Sequence, residues 1–420
     1  MGANLARWQA RSSKPLNGPL DRWSVRLGLV PAISVIHSLH IFLPCAGGLT
    51  LAIWIYLLLF RGDFWRVRDE SRPGGSVPGR TICVVIPARD EARTIERTVK
   101  SLLAQVWPGE LRVFVVDDHS SDDTGRLASA AGATVVNAAP LPPGWSGKLW
   151  AVSQGVQRAL EYRPDYLLLT DADIEHAPDS VAALAWHAEV GRLDLASFMV
   201  RLSTGNFAER LMIPAFVYFF LKLYPPRWIA APEARTAGAA GGCILIRTAA
   251  LERMGGIARI RGELIDDCAL ARAVKQSGGR IWMGLTSTTR SIRPYAGFGE
   301  IRMMIARTAF TQLKHSTVLL AGTLAGMILT YLAGPMLLFS GDRRWAAMGA
   351  ASWLIMTATY VPMLRFYRLS VWRALLLPGV AIFYVAATVE SAVQYWMGRG
   401  GVWKGRVQDQ RGFTGRDGRS

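Results

Sequence analysis

The chain is poor in cysteine and in charge, and it lacks the common phosphate-binding signatures. Four cysteines in 420 residues, Cys45, Cys83, Cys243 and Cys268, lie far apart and form no CxxC pair. That leaves no zinc framework and no sequence-evident disulfide set, and it suits a reducing compartment. No GxGxxG and no GxxxxGK[ST] falls at a strand-to-helix turn, so neither a typical dinucleotide fold nor a P-loop is supported. Only 19% of residues are charged while 51% are hydrophobic, and mean hydropathy is +0.21. An ordinary soluble protein is less apolar than this. The net charge is +17, yet no compact Lys/Arg block with interleaved aromatics accompanies it, so nucleic acid is not the expected partner.

The apolar residues gather at the two ends. Ile41 to Phe60 is free of charge and long enough to span a bilayer, as are Ser316 to Gly341 and Trp345 to Leu364; Ala374 to Val389 continues into a last span containing Glu390. The expectation is one span over 41–60, three apolar segments within 316–396, and a polar middle domain over 78–312. Basic residues flank these runs: Arg61, Arg66, Arg68 and Arg72, then Arg365, Arg368 and Arg373, then Lys404, Arg406, Arg411, Arg416 and Arg419 in a tail over 397–420. This distribution fits anionic headgroups, and Arg61 to Arg72 put the middle domain in the cytoplasm. Three later spans would then leave the basic tail outside, against the positive-inside tendency. One of the apolar segments is therefore expected to be re-entrant or interfacial, with no basis for choosing which. Residues 1–40 form a basic leader without a cleavage site after a short apolar core, either an extension or the product of an upstream start codon.

The middle domain alternates strands and helices. Strands are expected at Thr81 to Ile86, Leu111 to Val116, Ala133 to Val136 and Tyr166 to Thr170, with helices at Glu91 to Gln105, Thr124 to Ala131 and Lys148 to Leu160. That pattern describes a parallel α/β sheet with ligands at its carboxyl edge. Acidic clusters follow successive strands: Asp90-Glu91, Asp117-Asp118 with Asp122-Asp123, and Asp171-Ala172-Asp173. Each could cap a helix. Together they concentrate like charge that a cation or a ligand would offset. Two hard carboxylates at the end of a buried strand suit Mg2+ or Mn2+ shared with substrate phosphates. A further cluster, Glu263 to Asp267, opens a helix; one of its acids could be a general base, or the cluster could simply complement the helix dipole.

The segments VVIPARDEA, VVDDHSSDDT, GKLWAVSQG, LLLTDAD, GGCILIR and LIDDCALARAVKQSGGR resemble the successive motifs of inverting family 2 glycosyltransferases, which have a Rossmann-like, mostly parallel GT-A fold. Further segments, RGDFWR, LPPGWSGKLWA, LMIPAFVYFFLKLYPP, RTAFTQL and GRGGVWKGR, are similar to the hopene-associated glycosyltransferases, a bacterial branch linked to hopanoid lipid genes. The resemblance implies a GT-A domain in the bacterial inner membrane. In it Pro87, Ala88, Arg89 and Glu91 line the uridine pocket, Asp118 accepts from the base, and Lys148 lies near the nucleotide or its phosphates. Asp171 and Asp173 would hold the divalent metal, with Asp171 also meeting the nucleotide sugar. Asp267 would be the base that deprotonates the acceptor hydroxyl, supported by Asp266. A single displacement with inversion follows.

Two departures stand out. Position 90 is Asp where many members have Asn. The QxxRW motif of processive synthases is absent, and Arg307, Phe310 and Gln312 stand in its place, which favours transfer of single sugars. Arg307 and Gln312 are candidates for the diphosphate, the alternative for Arg307 being lipid headgroups. The apolar run within 207–226 is interrupted by Pro214 and is expected to be an in-plane segment facing the bilayer, a buried core helix being the other reading. The expected activity is transfer from a nucleotide sugar, UDP-linked, to a lipid acceptor. The alternatives are a polyprenyl-phosphate sugar synthase, a processive synthase, or an inactive scaffold. Glu390 is either functional or a membrane-edge residue, and His119, His176, His187 and His315 receive no role.

Overall fold

A computed structural model describes residues 46–400 and the short strand pair Val402–Trp403 with Arg406–Val407. The expected extension over 1–40, the first residues of the first apolar run and most of the tail lie outside the described residues.

Eight strands form one sheet: β1 (Ile82–Ala88), β2 (Leu111–Asp117), β3 (Thr134–Asn137), β4 (Tyr166–Leu169), β5 (Ile174–Glu175), β6 (Leu195–Arg201), β7 (Ile244–Arg247) and β8 (Ile281–Ser291). Their order is β3-β2-β1-β4-β7-β6-β8-β5. The first four pair in parallel, β7 is antiparallel to both β4 and β6, and β6 is parallel to β8. The sheet is thus the expected Rossmann-like GT-A arrangement, with a mixed second half that a short buried run such as Ile244–Arg247 does not reveal by its pattern. Because β6 is antiparallel to β7 and β7 to β4, the carboxyl end of β6 shares an edge with those of β1, β2 and β4.

Two local differences have clear causes. β1 continues through Pro87, where Pro87 pairs with Val116. Pairing with β4 has already stopped at Val85 and Leu169, so a missing amide is tolerated there. The helix expected from Glu91 starts at Ile95, because the Glu91 and Ala92 amides donate to Thr124 Oγ1 (2.8 Å) and Asp122 Oδ2 (3.1 Å) in the next loop. Asp90 sits in the left-handed region at φ 51°, a conformation that Asp and Asn tolerate. Its Oδ1 accepts from the Ser121 amide and hydroxyl at 2.7 and 3.0 Å.

Among the described residues, three helices are long and apolar enough to cross a membrane: Thr317–Leu337, Arg343–Phe366 and Val371–Trp396. The described part of the first apolar run is the shorter helix Ala46–Leu59. It packs on a π-helical turn at Ile328–Leu332, where wider winding frees carbonyls from the regular ladder. Thr50 Oγ1 donates to Leu329 O at 2.9 Å and Trp54 Nε1 to Thr330 O at 2.6 Å, which satisfies those groups in an apolar setting.

Helix Phe207–Leu223 begins with a capping box of Asn206 and Glu209. The middle of this helix is covered by this chain, while Phe207 and Leu223 at its ends are exposed. Ile213, Ala215 and Tyr218 are fully buried, Tyr218 Oη bonds Thr359 Oγ1 at 2.8 Å, and Tyr384 Oη donates to Met212 O at 3.0 Å. Glu390, left open by the sequence, pairs with Arg302 at 2.9 Å and accepts from Gln394 at 3.0 Å.

The loop ahead of β7 hangs on one lysine. Lys275 Nζ donates toward the carbonyls of Trp228, Ile229, Ala231 and Thr236 at 2.8 to 3.3 Å. Lys275→Met would strand those carbonyls, at a cost of about 3 kcal/mol for charge-assisted bonds. The expected result is a melting midpoint lowered by roughly 6–12 °C, followed by intrinsic fluorescence in detergent; an unchanged midpoint would remove the lysine from the loop's support.

Candidate active site

The carboxyl edge of the sheet gathers the acids that the sequence scatters. β4 ends at Leu169 and delivers Asp171 and Asp173; the loop before β7 brings Gly241 alongside; helix Asp266–Gln276 presents its first two residues. Pro87, Lys148, Asp171, Gly241, Asp266 and Asp267 line one cleft. Lys148, near the start of helix Gly147–Leu160, places Nζ 2.9 Å from Asp171 Oδ1 and 3.1 Å from Asp266 Oδ2. Burial opposes its charge, but the two carboxylates outweigh that and hold the ammonium above its ordinary range.

Asp267 is fixed by two backbone donors, Gly241 N to Oδ2 at 2.9 Å and Cys268 N to Oδ1 at 2.7 Å. Burial first, and then the Asp266 charge, push its carboxyl up to about 6 against the pull of Lys148. A base with a value in this region is ionised at neutral pH yet still attracts a proton. Gly241 is central for a steric reason. A Cβ there would lie 3.5 Å from Asp267 Oδ2 and Lys148 Nζ and 3.8 Å from Asp171 Oδ2. A methyl would meet them in ordinary contact, and a longer side chain would enter the space they share.

Asp173 is also raised to about 6, chiefly by burial and then by the Asp171 and Glu91 charges, with Arg293 opposing. Among the described residues no group of three or more His, Cys, Asp and Glu side chains forms a cation cage. The pair Asp171 and Asp173 still fits a divalent ion, because two carboxylates plus substrate phosphates are a common set for Mg2+ or Mn2+ and the excess negative charge at Asp173 wants a cation.

Of the nucleotide candidates, Pro87 lines the cleft and the Glu91 charge acts on Asp173. Pro87 and Ala88 close β1 and are buried, and Asp118 is 1% exposed. Arg89 Nη1 donates to Asp118 O at 2.7 Å and lies 3.7 Å from Asp118 Oδ2, while Arg89 Nε is buried with no partner among the described residues. Glu91 lies 3.5 Å from Arg293. Arg307 is exposed, and its charge is felt at Tyr295, which also feels Asp173. Gln312, a candidate for the diphosphate, has its Nε2 donating to Tyr224 Oη at 2.7 Å, and Tyr224 adjoins Asp267 and Cys268. That places Gln312 on the side of the base.

Sequence reasoning missed the supporting residues Gly241, Thr170, His176, Tyr224 and Tyr295. Thr170 Oγ1 donates to Gly242 O at 2.6 Å and meets His176 Nε2 at 3.0 Å; burial lowers His176 to about 3, so it is neutral. The Gly-Gly pair before an apolar run was the visible signal for Gly241. The others depend on contacts far apart in the chain.

Residues 83–255 match the family model described as Glycosyl transferase family 2. The 4,4'-diaponeurosporenoate glycosyltransferase of Staphylococcus aureus (strain bovine RF122 / ET3-1) is 36% identical over 96 residues, 23% of this chain. The match spans about a quarter of that relative's length, 24%. Among solved structures, a mannosyltransferase from Pyrobaculum calidifontis in complex with GDP-Man and Mn2+ is 18% identical, with TM-score 0.47 over 86% of this chain and 97% of that one. Glucosyl-3-phosphoglycerate synthase from Mycobacterium tuberculosis, with Mn2+, UDP-glucose and phosphoglyceric acid, is 22% identical, with TM-score 0.36 over 56% of this chain and 83% of that one.

Proposed function

We propose that this chain, which carries a family 2 glycosyltransferase domain, is a membrane-bound inverting transferase that moves a sugar from a UDP-sugar to a lipid acceptor, in the manner of the hopene-associated branch. The observation that carries the reading is the ion bridge from Asp171 through Lys148 to Asp266 beside the backbone-held Asp267. It brings the expected metal anchor and the expected base into one cleft.

In this reading Pro87, Ala88, Arg89, Glu91 and Asp118 receive the uridine, and the unpartnered Arg89 Nε gains an acceptor when the nucleotide arrives. Lys148 neutralises phosphate oxygens, and Arg307 adds positive charge on the Asp173 flank. Asp267 takes the proton of the acceptor hydroxyl as that oxygen attacks the anomeric carbon from the face opposite the leaving group. Asp266 holds Lys148 and raises the proton affinity of Asp267. A divalent ion held by Asp171 and Asp173 would supply positive charge to the departing diphosphate.

An apolar acceptor fits the three long apolar helices and the name of the Staphylococcus aureus relative. The bacterial inner membrane with the domain in the cytoplasm fits Arg61, Arg66, Arg68 and Arg72 beside the first helix. The test is full-length protein in lipid nanodiscs, incubated with Mn2+, a panel of UDP- and GDP-sugars, and either hopanoid or polyprenyl phosphate. Mass spectrometry is expected to show one hexose added to the hopanoid. Polyprenyl-linked sugar would replace the acceptor assignment, and neither transfer nor donor hydrolysis with any pair would overturn the activity.

A further inference from the structure

We infer that the last apolar helix, Val371–Trp396, lies flat in the near face of the bilayer, across the mouth of the catalytic cleft, instead of crossing the membrane. The inference rests on the membrane half of the proposed function and is independent of catalysis.

Helix Phe298–Gln312 is pinned to the catalytic domain at both ends. Just before it, Asn206 Nδ2 donates to Tyr295 O and the Tyr295 amide donates to Glu209 Oε1, each at 2.6 Å. At its last residue, Gln312 Nε2 reaches Tyr224 Oη at 2.7 Å. Tyr295 feels the Asp173 charge and Tyr224 that of Asp267. The helix therefore runs from the metal side of the cleft to the base side.

The last apolar helix lies beside it in the same sense. Phe298 meets Phe383 with ring centroids 5.9 Å apart, and Phe310 meets Tyr395 at 5.5 Å. Twelve residues separate the two contacts on each helix (298 to 310, 383 to 395), or about 18 Å of side-by-side packing. The Arg302–Glu390 pair at 2.9 Å falls between them. A helix parallel to one whose ends both rest on a globular face cannot also leave that face along the bilayer normal.

Two independent features agree. Ile382, Val389, Val393 and Trp396 are exposed and recur at i, i+7, i+11 and i+14, a single stripe, while Val380, Ala381, Tyr384, Ala387, Ser391 and Ala392 are buried against the protein. One apolar stripe over a protein-bound face is how an in-plane helix meets lipid. Glu390, with Arg302, then sits at headgroup level, where a charged pair is tolerated far better than in hydrocarbon. The chain beyond Trp396 stays on the catalytic side, so the basic tail obeys the positive-inside tendency that three crossings would violate.

The test is topological. Single cysteines are placed at Arg126, exposed on the catalytic domain, at Ser340, between the first two long apolar helices, and at Ser420, in full-length protein carrying Cys45→Ser. Membrane vesicles of known orientation are then labelled with an impermeant maleimide, the protein without added cysteine giving the background. Arg126→Cys and Ser420→Cys are expected to label from the same face and Ser340→Cys from the other. Ser420→Cys labelling together with Ser340→Cys would overturn the inference. As a second reading, bimane at Ile382→Cys and Val393→Cys should be quenched most by the same shallow doxyl-lipid position, whereas different optimal depths would mean a crossing helix. Full-length protein left in the supernatant after membranes are pelleted would instead overturn the membrane reading itself, a result distinct from either.

Discussion

Asparagine at position 267 is expected to cut sugar transfer by about 10²–10⁴-fold, the usual contribution of a positioned general base, while leaving nucleotide binding within about twofold. The substitution is nearly isosteric and keeps an oxygen for one of the Gly241 and Cys268 amides, at the cost of the other hydrogen bond, and UDP affinity reports whether the site keeps its shape. What disappears is the ability to accept a proton. The parent enzyme should carry a matching pH signature. Burial and the Asp266 charge raise the Asp267 carboxyl to about 6, and the active form is the ionised one. kcat/KM, which reports the free enzyme, should therefore be flat above that value and fall about tenfold per pH unit below it. The residual rate of Asp267→Asn should lose that limb. Stopped assays from pH 4.5 to 8, with Mn2+ held saturating at every pH so that protonation of Asp173 does not shape the profile, and with UDP affinity measured by calorimetry, decide the matter: a variant at parental rate, or one that keeps the acid limb, would remove Asp267 from the role of base.

The parts of this site that could be read in the sequence are those governed by short-range rules. An apolar run ended by Asp171-Ala172-Asp173 can only deliver its acids to a strand's carboxyl end, and the structure puts them there. The parallel strands β1 and β2 were legible because each buried run is followed by a helical period. Strand β7 was not, since direction in a sheet is set by pairing partners and leaves no mark on three apolar residues and an arginine. Gln312 shows the limit most clearly. Its place before a long apolar helix made it a candidate for the diphosphate, and nothing in that position announces that its amide meets Tyr224, 88 residues away in sequence. The helix Phe207–Leu223 has the composition of a lipid-facing segment, and residues buried between the sheet domain and the long apolar helices need the same apolar character as residues facing lipid. Composition alone cannot tell protein from lipid as the apolar neighbour.

Asparagine at position 173 is expected to weaken Mn2+ binding and to lower transfer by roughly 10²–10³-fold, the scale of losing a principal stabiliser of developing charge. The structure gives the reason in the charge around that side chain. Burial, Asp171 and Glu91 together lift its carboxyl to about 6, which means the site is one positive charge short of comfort. Lys148 supplies part of that deficit, but its Nζ is already shared between Asp171 and Asp266. A divalent ion that arrives with the donor's phosphates would relieve the remainder and must compete with a proton for Asp173. Mn2+ affinity in the presence of UDP should therefore fall as the pH drops through about 6, and the Asp173→Asn variant should bind weakly at every pH with no such slope. Electron paramagnetic resonance of free Mn2+ reads this without any turnover. Equal affinity in parent and variant, or an affinity independent of pH in the parent, would separate Asp173 from the metal and leave Asp171 as its only carboxylate from the Asp-Ala-Asp segment.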